Sequence, residues 1–141
     1  MDRQFWISGV IVSVIAFIFS FVVHGLLLGA DYTALQYLYR TAEESQNYFH
    51  FMLLAHVLFG FALTWIYRQG VAAGKPPLGQ GIRFGVATPL LITIPTYLIY
   101  YAVQPLPGAM VVKRIVSDTI SVVLLGAIVA LLNRPARIQA S

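Results

Sequence analysis

The chain lacks cysteine and is poor in charged residues. Among its 141 residues there is no Cys, and Asp, Glu, Lys and Arg together make up only 10%. Without cysteine it forms no disulfide, holds no thiolate metal site or cysteine-ligated iron–sulfur cluster, and has no cysteine nucleophile. An ordinary soluble domain carries about 25% charged residues. A chain with so few charges is therefore not built to expose most of its surface to water.

Long apolar runs take the place of charged surface. Hydrophobic residues make up 59% of the chain, and the mean hydropathy is +0.79. A helix that crosses a bilayer needs about 20 mostly apolar residues, and stretches of this kind lie at about 5–29, 48–68, 82–103 and 110–132. The sequence therefore predicts an all-α, four-transmembrane-helix bundle. Residues 1–141 form one integral membrane domain in this interpretation, because four spans use most of the chain.

The longest polar segment lies between the first two predicted spans. Over residues 31–42, apolar and aromatic side chains recur at helical spacing and polar ones fall between them. This amphipathic pattern predicts a short interfacial helix on the membrane surface, with Asp31 as its N-cap. The third predicted span contains Pro89 and Pro95, which a membrane helix tolerates when hydroxyl side chains and neighbouring helices serve the freed carbonyl groups.

The Lys and Arg residues are divided unequally between the two ends of the predicted bundle. Six fall on the side of the N-terminus (Arg3, Arg68, Lys75, Arg83, Arg134 and Arg137) and three on the opposite side (Arg40, Lys113 and Arg114). The positive-inside rule then places both termini in the cytoplasm. Because these cations lie at helix ends rather than in one patch, the net charge of +4 does not indicate a nucleic-acid partner.

Polar side chains from all four spans fall at one depth. At a rise of ~1.5 Å per residue, His24, His56, Tyr97 and Asp118 each lie roughly 8–12 Å below the outer surface. Each also lies on the small or polar stripe of its own helix, which is the face that packs against other helices. We therefore predict a ligand-binding layer made of His24, His56, Tyr97, Tyr100 and Asp118.

One histidine does not belong to this layer. His50 precedes His56 by six residues, so it is rotated by about 120° around the helix and lies at the interface.

The sequence also contains two G-x-x-x-G matches, at 25–29 and 81–85. Such matches favour close helix packing, but they are common by chance in apolar helices.

The predicted layer supports several kinds of chemistry. His24, His56 and Asp118 are side chains that suit Zn, Cu or Fe, the two histidines together suit one haem b, and the whole set suits hydrogen bonding to a quinone or another amphipathic ligand. Structural interpretations compete with these. The histidines would only link helices, and Arg114, four residues before Asp118, would neutralise its carboxylate. No spacing resembles HExxH or another catalytic signature.

Four stretches carry a resemblance to known proteins, at 23–29, 50–56, 64–68 and 97–101. They resemble an uncharacterised group of small four-helix bacterial inner-membrane proteins, and the likeness covers nearly the whole chain. It implies an inner-membrane location and four spans, and it supplies no activity. The chain does not resemble cytochrome b561, which needs four haem-ligating histidines where this chain has three in all. It also lacks the first-helix Glu of small multidrug transporters.

The leading hypothesis is a non-enzymatic bacterial inner-membrane protein with an intramembrane polar site on the periplasmic side, which binds a small ligand or metal in an accessory role. The alternative is a redox membrane subunit that binds haem b or quinone. An oligomeric small transporter is a weaker third hypothesis, because the inner half of the bundle offers only Ser13, Thr64 and Thr88 as polar groups. The expected partners are the lipid bilayer and either further copies of the chain or a larger membrane complex.

Overall fold

The computed structural model describes residues 1–134, and every regular element in that part of the chain is helical. Helix α1 continues as a π-helical segment over Phe21–Leu27, and six further helices follow. Their bounds are α1 Arg3–Ser20, α2 Gly29–Ala34, α3 Ala42–Gln46, α4 Phe49–Gly70, α5 Pro77–Leu91, α6 Thr93–Val103 and α7 Gly108–Leu132. Arg137, counted above among the cations on the side of the N-terminus, lies outside the described residues.

Four helices are long and apolar enough to cross a membrane, over Arg3–Leu27, Phe49–Gly70, Pro77–Val103 and Gly108–Leu132. The predictions of an all-α fold and of four spans are confirmed, and the protein is a multi-pass membrane protein. Successive spans run in opposite directions. The N-terminus, the 71–76 loop and the end of α7 therefore lie at one end of the molecule, which we call the terminal end. The other, the loop end, carries residues 28–48 and 104–107.

Close helix packing is concentrated near the terminal end. The main helix pairs are α1 with α4 and α5 with α7, and α7 also contacts α1 and α6. Gly60 of α4 lies directly on Ser13 of α1, and a Cβ added to Gly60 would come within 2.5 Å of the Ser13 backbone nitrogen. A Cβ on Gly126 of α7 would lie 2.6 Å from the Gly85 Cα of α5 and 2.5 Å from the Gly81 carbonyl oxygen. Small residues thus let these backbones touch.

The apolar core lies where α1, α4 and α7 meet. Its buried members come from the first, second and fourth spans: Val12, Ala16, Leu63, Tyr67, Leu125, Val129 and Ala130. At the terminal end, the Asp2 carboxylate caps α1 by accepting a hydrogen bond from the Phe5 N–H, and it also accepts two bonds from Arg68 at 2.7 and 2.8 Å. Gln4 donates to the Leu132 carbonyl at 2.7 Å, which joins the start of α1 to the end of α7.

The third span differs from its prediction at both its start and its middle. It begins at Pro77 rather than at 82, because Pro76 and Pro77 supply the fixed φ that suits the first helical turn. It is interrupted at Ile92, where α5 ends and α6 begins. Pro95 falls in the first turn of α6, and the N–H that it lacks would have had no partner there.

The predicted single helix over residues 31–42 is wrong in its extent. α2 ends at Ala34, turns follow, and α3 starts only after Thr41. The reason is a capping box, in which Thr41 accepts from the Glu44 N–H and the Glu44 side chain accepts from the Thr41 N–H. Asp31 is not an N-cap either, because its carboxylate pairs with the Lys113 ammonium at 2.8 and 2.9 Å.

Candidate functional site

A π-helical segment positions the first side chain of the candidate site. The Leu28 N–H donates to the Val23 carbonyl at 2.9 Å, five residues back, so the last turns of the first span are wider than α-helical turns. His24 lies in this segment. Segments of this kind are rare and often occur at functional sites. The widening changes the direction in which His24 leaves the helix.

His24, Asp118 and two tyrosines form one connected polar chain. The His24 Nε2 lies 3.2 Å from Asp118 Oδ1, and the Tyr97 hydroxyl donates to Asp118 Oδ2. On the other side of the imidazole, Nδ1 is 2.8 Å from the Tyr32 hydroxyl. The chain therefore runs from the loop-end connector through the first span to the fourth, and from there to the third.

The carboxylate fixes one donor role in this chain. Because a carboxylate only accepts, the His24 Nε2–H is directed at Asp118. A neutral ring accepts from the Tyr32 O–H at Nδ1, whereas a protonated ring donates from Nδ1 to the Tyr32 oxygen. Both carboxylate oxygens of Asp118 thus accept a hydrogen bond, and its side chain is only 18% exposed. The polar groups satisfy one another, as buried polar groups must.

Arg114 does not form the ion pair with Asp118 that the structural interpretation of the sequence proposed. The ion pairs in residues 1–134 join Asp118 to His24, Lys113 to Asp31 and Arg68 to Asp2, and none includes Arg114. Instead, the Arg114 guanidinium carbon lies 4.4 Å from the centroid of the Tyr97 ring. Its Nη1 donates to the Tyr39 hydroxyl at 3.4 Å.

A cavity of about 400 Å³ opens beside this chain in the half of the bundle nearer the loop end. All four spans line it. Its apolar lining includes Ala16, Phe19, Ala55, Phe59, Ile92, Val122 and Leu125, and its polar lining includes Ser20, His24, His56, Thr93, Thr96, Tyr97, Tyr100, Arg114, Asp118 and Ser121. All five side chains that the sequence assigned to a ligand-binding layer therefore lie on one cavity.

The five assigned residues do not all contact one another. His56 donates from Nδ1 to the Met52 carbonyl of its own helix at 2.6 Å, and its ring packs edge-on against Phe17. Tyr100 lines the cavity at its exposed edge, with 41% of its surface accessible. The His50 ring packs against the Phe51 ring at a tilted angle, and His50 does not line the cavity.

The arrangement of the histidines bears on the metal and haem hypotheses. Within residues 1–134, no group of three His, Cys, Asp or Glu side chains is placed to hold a metal ion. Both ring nitrogens of His24 have partners in this arrangement, Tyr32 and Asp118. The metal site of His24, His56 and Asp118 and the haem held by His24 and His56 stay predictions. The contacts that the structure describes among these side chains are hydrogen bonds and an ion pair.

Sequence reasoning predicted a surface helix between the first two spans, but not its contacts with His24 and Arg114. Tyr32 and Tyr39 pack edge-to-face over the polar end of the cavity, with ring centroids 5.0 Å apart. Burial raises the pKa of Tyr32 to about 12, so its hydroxyl stays protonated and can donate to His24. The periodic pattern of these aromatic residues predicted a membrane-facing helix. Nothing in that pattern indicated that they contact His24 and Arg114.

The comparisons with known proteins add no relative. The chain matches no protein-family model, and no curated protein and no solved structure shows significant similarity to it.

Proposed function

We propose that this protein is a non-enzymatic membrane protein that binds a small amphipathic molecule inside the bundle. The observation that carries the proposal is the cavity of about 400 Å³, which has polar groups and apolar walls and is lined by all four spans. Ligand pockets typically enclose about 300–1,000 Å³ and are mostly apolar, with a few polar groups that fix orientation. The cavity has both properties.

The distribution of its lining supports an amphipathic ligand. The polar end holds Asp118, His24 and Tyr97, which are hydrogen-bonded to one another. The lining also includes Phe19, Phe59 and aliphatic side chains. A molecule with a polar head and an apolar body matches such a lining, because the head can hydrogen-bond to the polar groups and the body packs on the apolar ones.

A route of entry from the bilayer is provided between the second and third spans. In residues 1–134, α4 packs extensively against α1, whereas neither α5 nor α6 makes an extensive contact with α4. The cavity lies between α4 and α6, and Ile92 and Tyr100 at its edge are 50% and 41% exposed. A ligand dissolved in the lipid therefore reaches the cavity without crossing water.

The side-chain pairing supports binding rather than catalysis. The cavity serine Ser121 donates to the Ser117 carbonyl of its own helix at 3.0 Å. His24 meanwhile is engaged by Asp118 and Tyr32. The hydroxyl and the imidazole are thus not paired as a nucleophile and its base. This arrangement is the support for an accessory role, in which the protein holds or presents its ligand.

The proposal also covers location and partners. We propose the bacterial inner membrane, with both termini in the cytoplasm and the cavity in the periplasmic half. The support is the excess of Lys and Arg on the side of the N-terminus, six against three. The bilayer is the first partner, and further copies of the chain or a larger membrane complex would be the second. Nucleic acid is not a proposed partner.

The test uses one filling variant and a matched control. Ala55→Phe places a ring in the cavity, whereas Ala62→Phe adds the same ring about two turns further along the same helix, on a groove away from the cavity. Each protein is extracted with its native lipid into nanodiscs without detergent, and bound small molecules are identified by mass spectrometry. We expect an amphipathic molecule in wild type and Ala62→Phe and its loss in Ala55→Phe. Equal retention in all three proteins would contradict the proposal.

A further inference from the structure

Arg114 differs from the two charged residues nearest to it on α7. Lys113 is paired with Asp31 at 2.8 Å, and Asp118 accepts hydrogen bonds from His24 and Tyr97. No carboxylate in residues 1–134 lies within ion-pair distance of Arg114. Ionisable groups within membrane spans usually face a cavity and meet a partner. Arg114 faces the cavity, but its charge is not paired.

The donors of Arg114 are only partly used. Its contacts are neutral: the face of the Tyr97 ring at 4.4 Å, the Tyr32 ring at 5.9 Å and the Tyr39 hydroxyl at 3.4 Å. Its Nε is buried and has no hydrogen-bond partner. A guanidinium carries five N–H donors in a rigid fork. Among these donors Nη1 bonds to Tyr39, and Arg114 lines the cavity, so its remaining N–H groups there can bond to an acceptor that the protein itself does not supply.

We infer that the cavity binds a single-chain amphiphile with a carboxylate head, and that Arg114 receives the carboxylate. This inference rests on the proposed function and adds the chemical class of the ligand. The planar guanidinium matches the two oxygens of a carboxylate, which gives short, charge-assisted hydrogen bonds. Asp118 is not the carboxylate partner of Arg114, because no ion pair joins the two and Asp118 pairs with His24 instead.

The size of the cavity favours one chain over two. A volume of about 400 Å³ lies near the lower end of the ~300–1,000 Å³ range of ligand pockets. It suits a head group and part of one alkyl chain, and the rest of the chain extends between α4 and α6 into the lipid. The ligand is therefore of the fatty-acid class rather than a whole two-chain phospholipid.

The test is competitive photolabelling in nanodiscs of neutral phosphatidylcholine. The probe is laurate carrying a diazirine, and the competitors are laurate, dodecyl phosphate, dodecanol and decylubiquinone. We expect laurate to compete about tenfold better than dodecanol, which has the same chain and no charge, as one charge-assisted contact predicts. Labelling should map to residues that line the cavity, and Ala55→Phe should abolish it.

Three variants assign the effect to Arg114. Arg114→Gln should reduce labelling by the laurate probe about tenfold, and Arg114→Lys, which keeps the charge and loses the fork, should reduce it less. Lys113→Gln is the matched control, because Lys113 is the adjacent cation, pairs with Asp31 and does not line the cavity. It should label as wild type does. If Arg114→Gln does not fold, the comparison of laurate with dodecanol in wild type still decides the question.

The outcomes separate this inference from the proposed function. If dodecanol or decylubiquinone competes as well as laurate, or if Lys113→Gln loses as much labelling as Arg114→Gln, the anionic head is wrong and the amphiphile site stands. If dodecyl phosphate competes better than laurate, the carboxylate is wrong. If no competitor reduces labelling and Ala55→Phe labels as wild type does, the proposed function itself fails.

Discussion

The two halves of the bundle are built from different side chains. Near the terminal end, the spans meet through residues without bulk, such as Gly60 on Ser13 and Gly126 on Gly85. Near the loop end, the same spans diverge around a cavity of about 400 Å³ and contact one another through polar side chains. The first half combines close backbone contacts with an apolar core that includes Leu63 and Val129. The second half combines a small apolar cluster around Val23 and Met110 with polar contacts between spans.

This difference shows how a small membrane protein keeps a cavity open. Close packing gives van der Waals contact along two crossings, α1 with α4 and α5 with α7. These crossings fix the relative positions of the helices at one end. The other end can then diverge without separating the spans. We therefore expect substitutions near the terminal end to affect the fold, and those near the loop end to affect mainly the site.

The largest effect is expected at the glycine crossing of α5 and α7. Gly126→Ala would place a methyl group 2.5 Å from the Gly81 carbonyl oxygen, so the two backbones must separate. Overpacking of this kind costs about 1–3 kcal/mol, and we expect the upper part of that range because no flexible side chain can give way. Gly79→Ala is the control, since its Cβ would meet nothing within 4 Å. Thermal unfolding in micelles measures both, and equal unfolding temperatures would contradict the account.

The next effect is expected from the polar chain. His24→Ala removes a donor to the Asp118 carboxylate and leaves the Tyr32 hydroxyl without its partner. Hydrogen bonds to charged groups are worth about 1.5–3 kcal/mol, and we expect a loss of that size. His50→Ala should change the free energy of unfolding by less than about 0.5 kcal/mol, because His50 is exposed. Equal losses in the free energy of unfolding for His24→Ala and His50→Ala would show that the contacts of His24 do not stabilise the fold.

The sequence was sufficient to predict four helices long and apolar enough to cross a membrane, and to group five polar side chains that line one cavity. Apolar runs define a span by length and hydropathy. The rise per residue placed Tyr97, His24 and Asp118 at one depth, and the polar stripes placed them on the faces that meet other helices. The two G-x-x-x-G matches were indistinguishable in sequence. In the structure, Gly81 lies on Gly126, whereas a Cβ on Gly29 would meet nothing within 4 Å. A periodic pattern defines a face, but it does not identify the helix that packs on it.

The missed features depend on backbone detail and on long-range partners. Around His24 the backbone hydrogen bonds join residues five apart, as in a π-helix, instead of four apart, as in an α-helix. The apolar composition of the first span does not distinguish the two patterns. Two partners for Asp118 were left open: Arg114, four residues away on the same helix, and a histidine of the same layer. In the structure Asp118 contacts His24, and Arg114 lines the cavity. Depth and helix face placed His24 near Asp118, but only the structure distinguishes this partner from the local one.

At the loop end, a smaller effect is expected at alkaline pH. Burial raises the pKa of Tyr32 from 10.0 to about 12, so the unfolded chain loses this proton first. The corresponding stability is present below pH 10 and is lost as pH rises from 10 to 12. Tyr32→Phe should flatten this part of the stability curve, measured by denaturant unfolding across pH 9–12. An unchanged slope in Tyr32→Phe would assign the alkaline loss to other groups.

At the terminal end, the smallest effect is expected at acidic pH. The hydrogen bonds from Arg68 and from the Phe5 N–H hold the pKa of Asp2 well below its ordinary value of 3.8. A depressed pKa contributes stability that is present above the ordinary value and is lost as pH falls below it. Because the Asp2 carboxylate is exposed, solvent screens the pair and the effect on stability is small. Asp2→Asn should make hydrogen exchange in the first turn of α1 independent of pH below 4, after correction for intrinsic rates. Tyr32→Phe should keep the acid dependence. If Tyr32→Phe removed the acid dependence and Asp2→Asn kept it, the two ends of the bundle would not be independent.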